Sequence, residues 1–329
     1  MNRLRLARVE LRRLLRRRLT LFVVLGILAA VGLQLFQTGM QARPMSHSEQ
    51  VRVTADYERA RQDFAQNGEQ QRKDCLQSQE EARASDPTAD FQCDMQEPTL
   101  AMFLKPELSF AEAVPDVLSN GALLLLLAAL VAGAGFTASE FTTGSIGTWL
   151  TFEPRRLRVY GSKLLAAGAG LVPLAVVTFA LLTAGVWVFA SLWGRTAAPA
   201  GTWSHVAAVG GRGVVLAAVV AVVGSALGFL LRHTAAVLGL ALGYAIVGEG
   251  ILNSNVQTLR PWLLQTNVTG WLEHGTTYFR QVCTTSDGGY SCNDVRLPLS
   301  FTHSATYLGV LVLALVLLTA LVFRRRDVR

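Results

Sequence analysis

Charge is scarce in this 329-residue sequence, and where it is missing excludes most soluble folds. Only 16% of residues are charged while 51% are hydrophobic, a balance seldom met in a soluble domain of this length. The charges are clustered, leaving long uncharged tracts between them. No GxxxxGK[ST] phosphate loop occurs, so the chain cannot cradle a nucleotide in the known way. HExxH and GxSxG are absent too, which removes the visible sites for metalloprotease or esterase chemistry. Cysteine is limited to four residues and lysine to three, against 27 arginines.

What remains is apolar and long. Six tracts approach or exceed the roughly 20 residues that a helix rising about 1.5 Å per residue needs to cross a bilayer: residues 19–36, 117–138, 164–193, 206–231, 235–252 and 305–323. The third is over-long and contains Pro173, which predicts tilt or a kink. The fold class is therefore an all-α polytopic membrane protein with six transmembrane helices and both termini on one side. Arginines crowd residues 1–18, the 155–163 segment, Arg232 and the 324–329 tail, while the connection near Arg195 and Arg212 is sparse. Basic residues favour the inner side, so both termini are expected to be cytoplasmic. The formal net charge of +7 then reads as membrane orientation and not as a nucleic-acid surface.

Residues 1–18 place Leu4, Val9, Leu11, Leu14 and Leu15 on one helical side and arginines on the other. That pattern suits an amphipathic interfacial helix. A signal peptide is the competing reading, opposed by an over-long apolar run and the lack of a clear small-x-small cleavage site. The outer loop 37–116 holds 15 acidic and 8 basic residues. Its first half is rich in helix formers, with Val53, Tyr57 and Phe64 at helical spacing; a helical hairpin and a solvated loop are both compatible with it. Cys75 and Cys93 lie in this loop, and Cys283 and Cys292 in the outer loop 253–304. All four fall on the oxidising side as two local pairs, so Cys75–Cys93 and Cys283–Cys292 disulfides are expected among three possible pairings. Zinc is the rival reading, but CxxC spacing is lacking and His274 and His303 are isolated.

The stretch 139–163 lies between the second and third tracts and holds Glu140, Gly144-Ser145-Ile146, Pro154, Arg155, Arg156 and Lys163-Leu164-Leu165-Ala166. Glu140 is read as opening a helix-like run, where a carboxylate suits the N-terminal dipole, and Pro154 as ending it. On these residues, and on Arg232-His233-Thr234-Ala235-Ala236 before the fifth tract, the sequence resembles the permease subunits of type-2 ABC exporters. Ser145 stands where that family more often has Thr. The resemblance implies that 139–163 is a cytoplasmic coupling elbow, with Glu140, Gly144, Ser145, Pro154, Arg155, Arg156 and Lys163 contacting a separate ABC ATPase subunit. It further implies pairing with a second permease copy or a paralogue, and ATP and Mg held by the partner with no cofactor on this chain. An ordinary basic loop is the plainer reading of the arginines.

Gly210, Gly211, Gly224, Gly228, Gly239 and Gly243 permit close helix approach in tracts four and five. Trp187, Phe189, Trp193 and Trp203 mark a membrane edge. Glu249 is an ionisable group inside the fifth tract, a functional candidate by default, although it lies near the outer end where it can reach headgroups. Residues 253–304 include Pro261-Trp262 and Trp271-Leu272, read as a partly inserted interfacial piece. The expectation is a permease in a bacterial plasma membrane, composition fitting a GC-rich host such as an actinomycete. Its substrate class (lipid, peptide or hydrophobic drug) stays open. An ion-coupled carrier and a non-transporting membrane sensor or immunity protein are the alternatives.

Overall fold

The computed structural model describes residues 9–14, 16–84, 91–94, 96–105, 109–152, 155–286 and 289–325. Among the described residues, six helices are long and apolar enough to span a membrane. They are α1 (Arg18–Ala42), α4 (Phe110–Thr142), α6 (Arg156–Leu192), α7 (Thr202–Leu231), the helix beginning as α8 (Thr234–Tyr244) and reaching Asn255, and α10 (Phe301–Arg325). All but the third and fourth run past the expected boundaries at both ends, and the fourth ends at Leu231 as expected. Hydropathy marks only the stretch that must avoid water, whereas helical hydrogen bonding continues through polar residues of good propensity. α6 starts at Arg156, inside the elbow, and passes through Pro173 without a break.

The chain divides into two units: Met1–Gln41, Leu108–Tyr278 and Pro298–Arg329 form the first, and Ala42–Glu107 with Phe279–Leu297 the second. In the first, α4, α6 and α7 make the core. Their apolar windows are 50%, 44% and 44% buried, against 11% for the other three spans. Lipid tails are as apolar as leucine, so close packing and polar contacts, not water exclusion, must select these partners. The chain supplies close packing with glycine. Gly133 on α4 abuts the Ala221 carbonyl on α7, while Gly224 and Gly228 on α7 abut the Leu130 and Ala134 carbonyls on α4. The Thr137 hydroxyl then donates across the seam to the Ser225 carbonyl at 2.9 Å. At the opposite end from Thr142, Phe110 is buried beneath Trp187 and Trp203, with ring centroids 5.1 and 5.0 Å away.

Residues 9–14 are helical, with Glu10 and Leu14 buried and Val9, Arg12 and Arg13 exposed. They follow α6, with Glu10 beside Lys163 and Leu14 against Gly170, and Leu14 is buried among Ala129, Phe136, Ala166 and Leu171. An acidic residue with a buried basic partner is the physical reason for this inward docking. Residues 1–8 lie outside the described residues.

The second unit carries α2 (His47–Arg83), one 37-residue helix. Among the described residues of the return limb only α3 (Leu100–Phe103) is helical. Pro98 and a lack of apolar period on that limb account for the difference. Cys75–Cys93 joins limb to helix, Gln79 accepts from the Phe91 amide at 2.8 Å, and Tyr57 meets Phe103 edge-on. Ser46 and Glu49 form a capping box at the start of α2. Hydrogen bonds from the Ser46 amide and hydroxyl, then the charge of Arg43, pull the Glu49 carboxyl down from 4.5 to about 2. A depressed carboxyl stabilises the fold fully above its ordinary value, and that contribution disappears as pH falls through about 2. An NMR titration should place the Glu49 midpoint near 2, and a midpoint near 4.5 would contradict the cap.

Beyond an all-helical description lies a hairpin, β1 (Gly275–Ser286) with β2 (Gly289–Ser300), carrying the Cys283–Cys292 bridge. Sequence reasoning missed it. Thr, Tyr, Phe and Val flanking Asp287-Gly288 are the available signal.

Candidate functional site

The elbow is a short helix set between two of the three most buried spans. α4 ends where Thr143 and Gly144 bond back to Ser139 and Phe141, and Gly144 takes φ of +68°, the left-handed conformation that glycine adopts without a Cβ clash. Next comes α5 (Ser145–Phe152). Its Ile146 is buried in a cluster with Tyr160 and Leu164 of α6, Phe229 of α7 and Phe323 of α10. Tyr160 fastens that cluster to α10, its hydroxyl donating to the Val316 carbonyl at 2.9 Å. Half-buried Trp149 receives the Arg13 guanidinium 4.4 Å above its ring, an attraction between cation and ring quadrupole. Thr148, Thr151 and Arg155 stay exposed.

Beneath α5 runs a chain of four buried or half-buried charges. Lys163, wholly buried, places its Nζ 2.6 Å from Glu140 Oε2 and 3.0 Å from Glu10 Oε2. Glu140 Oε1 accepts from Arg17 at 2.7 Å. Arg17 also donates to Ser139 Oγ at 2.6 Å and the Phe136 carbonyl at 2.8 Å. The Phe136 ring lies 5.0 Å from Arg17 and 5.1 Å from Lys163. Two carboxylates and two cations balance, which makes so complete a desolvation tolerable. The network ties residues 9–14, the entrance of α1, the end of α4 and the start of α6.

Glu140 thus lies in the last turn of α4, not at a helix N-terminus. The expected dipole interaction is replaced by ion pairing with Lys163 and Arg17, because α4 continues through the Gly/Ala-rich stretch before it. Of the residues singled out in the sequence, Glu140 and Lys163 are brought together out of solvent. Gly144 and Arg155 are exposed; Ser145 is half-buried and accepts from Thr143 Oγ1 at 3.2 Å. Arg156 and Arg158 are half-buried and engaged. Pro154 lies outside the described residues. Glu10, Arg13, Arg17, Trp149 and Tyr160 were not anticipated. The available signal was Glu10 itself, the one acid among the eight arginines of residues 1–18.

Glu249 belongs elsewhere, in a π-helical segment, Ala245–Leu252. Hydrogen bonding there runs i to i+5, bringing Tyr244 and Glu249 to one face. The Tyr244 hydroxyl and the Gln265 amide each donate to Glu249 Oε1 at 2.9 Å, and the Leu264 amide donates to Tyr244 at 2.9 Å. The carboxylate therefore turns inward, onto the start of α9 (Leu264–Leu272), where the amides and dipole favour negative charge.

No curated protein and no solved structure matches the chain. Residues 4–328 match the family model described as ABC-2 family transporter protein. With that match covering nearly the whole chain, and six spans around a glycine-packed core, the protein is a multi-pass membrane protein of the ABC-2 transporter family, a membrane component of an ABC transporter.

Proposed function

We propose that the chain is the permease subunit of an ATP-driven exporter, working as a dimer and driven by a separate nucleotide-binding subunit that pushes on α5. The observation that carries this reading is the way α5 is rooted. A lever needs an exposed face for its partner and a stiff connection to what it moves. Thr148, Thr151 and Arg155 provide the face. Ile146 connects α5 to α6, α7 and α10, Trp149 connects it to residues 9–14, and the four-charge network locks the ends of α4 and α6 on either side. Close-packed, bistable interfaces turn a small push into rearrangement of whole elements. With the arginine-rich segments facing the cytoplasm, α5 meets an ATPase there, and ATP and Mg stay on that partner.

The test is affinity purification from host membranes in mild detergent. A chain containing a phosphate loop should co-purify, and Thr148→Arg or Arg155→Glu should weaken its association by about tenfold, roughly 1.4 kcal/mol, leaving the permease folded. Absence of any nucleotide-binding partner, in conditions that preserve known ABC complexes, would defeat the proposal.

A further inference from the structure

Between α1 and α4, on the half of the bundle remote from the elbow, lies a trough of about 490 Å³. The two helices run antiparallel here. Six hydrogen-bonding side chains line it: Gln34, Gln37, Thr38 and Gln41 from α1, Asp116 and Asn120 from α4. Leu33 and Leu124 wall its deeper end. Gln34 and Asn120 lie eight and ten residues inside their helices, about 12 and 15 Å by the helical rise.

Most of this polarity is unspent within the protein. Gln34 Nε2 donates to the Val117 carbonyl at 2.7 Å, and its Oε1 is buried with no protein partner. Thr38 donates to its own helix at the Gln34 carbonyl, which leaves its oxygen able to accept. Gln37, Gln41, Asp116 and Asn120 form no side-chain hydrogen bond or ion pair among the described residues, and all four are exposed. Of these residues, Gln34 and Asn120 fall inside the apolar tracts, where unsatisfied amide groups are expensive in lipid. A row of them, facing one another across a trough of ligand size, reads as a site.

Its chemistry is one-sided. The lining holds one carboxylate and no Arg, Lys or His, so a phosphate or carboxylate head would meet repulsion at Asp116. An ammonium would meet its counter-charge there and acceptors on the amides, while an aliphatic tail continues along Leu33 and Leu124. We propose that the trough binds the head of a cationic amphiphile, an amine carried on an aliphatic chain. The inference deepens the permease reading, on which it rests, by naming the class of cargo.

The experiment uses the full-length protein in phosphatidylcholine nanodiscs and dodecylamine bearing a diazirine on its tail, with adducts mapped by mass spectrometry. Adducts should concentrate on residues 30–41 and 113–124. They should fall about tenfold in Asp116→Asn and in the Gln37→Leu/Asn120→Leu pair, and be lacking with dodecyl phosphate carrying the same diazirine. Labelling spread over all lipid-facing helices, unchanged in Asp116→Asn, would overturn the site, as would equal labelling by the phosphate. So would efficient disulfide formation between two Gln37→Cys copies, since a second permease would then fill the trough. Asp116 and Gln37 are exposed, and unchanged thermal unfolding of the variants separates lost binding from lost structure. No ATPase enters this measurement, so a labelled trough without a co-purifying ATPase, or the reverse, assigns failure to one reading and not the other.

Discussion

Lys163→Met should be among the most damaging single substitutions in the chain, lowering stability by about 3–5 kcal/mol, the usual consequence of stripping one partner from a buried pair. Methionine fills the volume, so no large cavity contributes. The damage is electrostatic: Glu10 and Glu140 would share a desolvated space with Arg17 as the remaining counter-charge among the described residues, and Arg17 is paired with Glu140. This suggests its own rescue. Glu10→Gln combined with Lys163→Met removes one charge of each sign and keeps the Glu140–Arg17 pair, so roughly half of the lost stability should return. Tryptophan fluorescence during thermal unfolding in detergent is the readout, with an expected fall near 10 °C for the single variant. A double variant as unstable as the sum of its parts would show that the ammonium acts locally and not through a network.

The second large effect is expected at the glycine seam. A Cβ on Gly224 would be driven into the Leu130 carbonyl and crowd the Ala134 amide, and these are backbone atoms that cannot rotate away. Gly224→Val should therefore separate α4 from α7 and lower stability by about 3 kcal/mol, the upper end of ordinary overpacking. The Thr137 to Ser225 hydrogen bond on the same seam would lengthen with it. Gly32→Ala provides the contrast. Nothing lies within 4 Å of a Cβ there, so the gain in helix propensity should leave that variant unchanged or more stable by about 0.5–1 kcal/mol. Size-exclusion profiles and unfolding temperatures of the two variants check the pair. Equal behaviour would mean that the seam is looser than its geometry implies.

Legibility from sequence followed the physics of each feature. The spans could be read because lipid imposes apolarity residue by residue, and both disulfides because local spacing and sidedness agreed. Helix ends were harder. Arg156 to Lys163 look like loop by charge, yet form the opening turns of α6 with their apolar neighbours Val159, Tyr160 and Leu164 buried. Glu140 and Lys163 stood out by type, but their joint burial depends on Glu10, 153 positions from Lys163. No periodicity reports such a pairing. The hairpin at 275–300 was missed for another reason. Its Asp-Gly turn signal was present, but a loop between spans invites interpretation by membrane affinity before strand propensity.

The balance of charge around Lys163 bears on how the elbow can be driven. Moving one elementary charge through the full membrane potential involves about 2.3 kcal/mol per 100 mV. Glu10, Glu140, Arg17 and Lys163 sum to zero and are bound to one another, so displacing them together along the membrane normal does almost no electrical work. As a unit this cluster carries no gating charge. Membrane voltage has no grip on it, which under the proposed coupling leaves the work of moving it to contact with the ATPase.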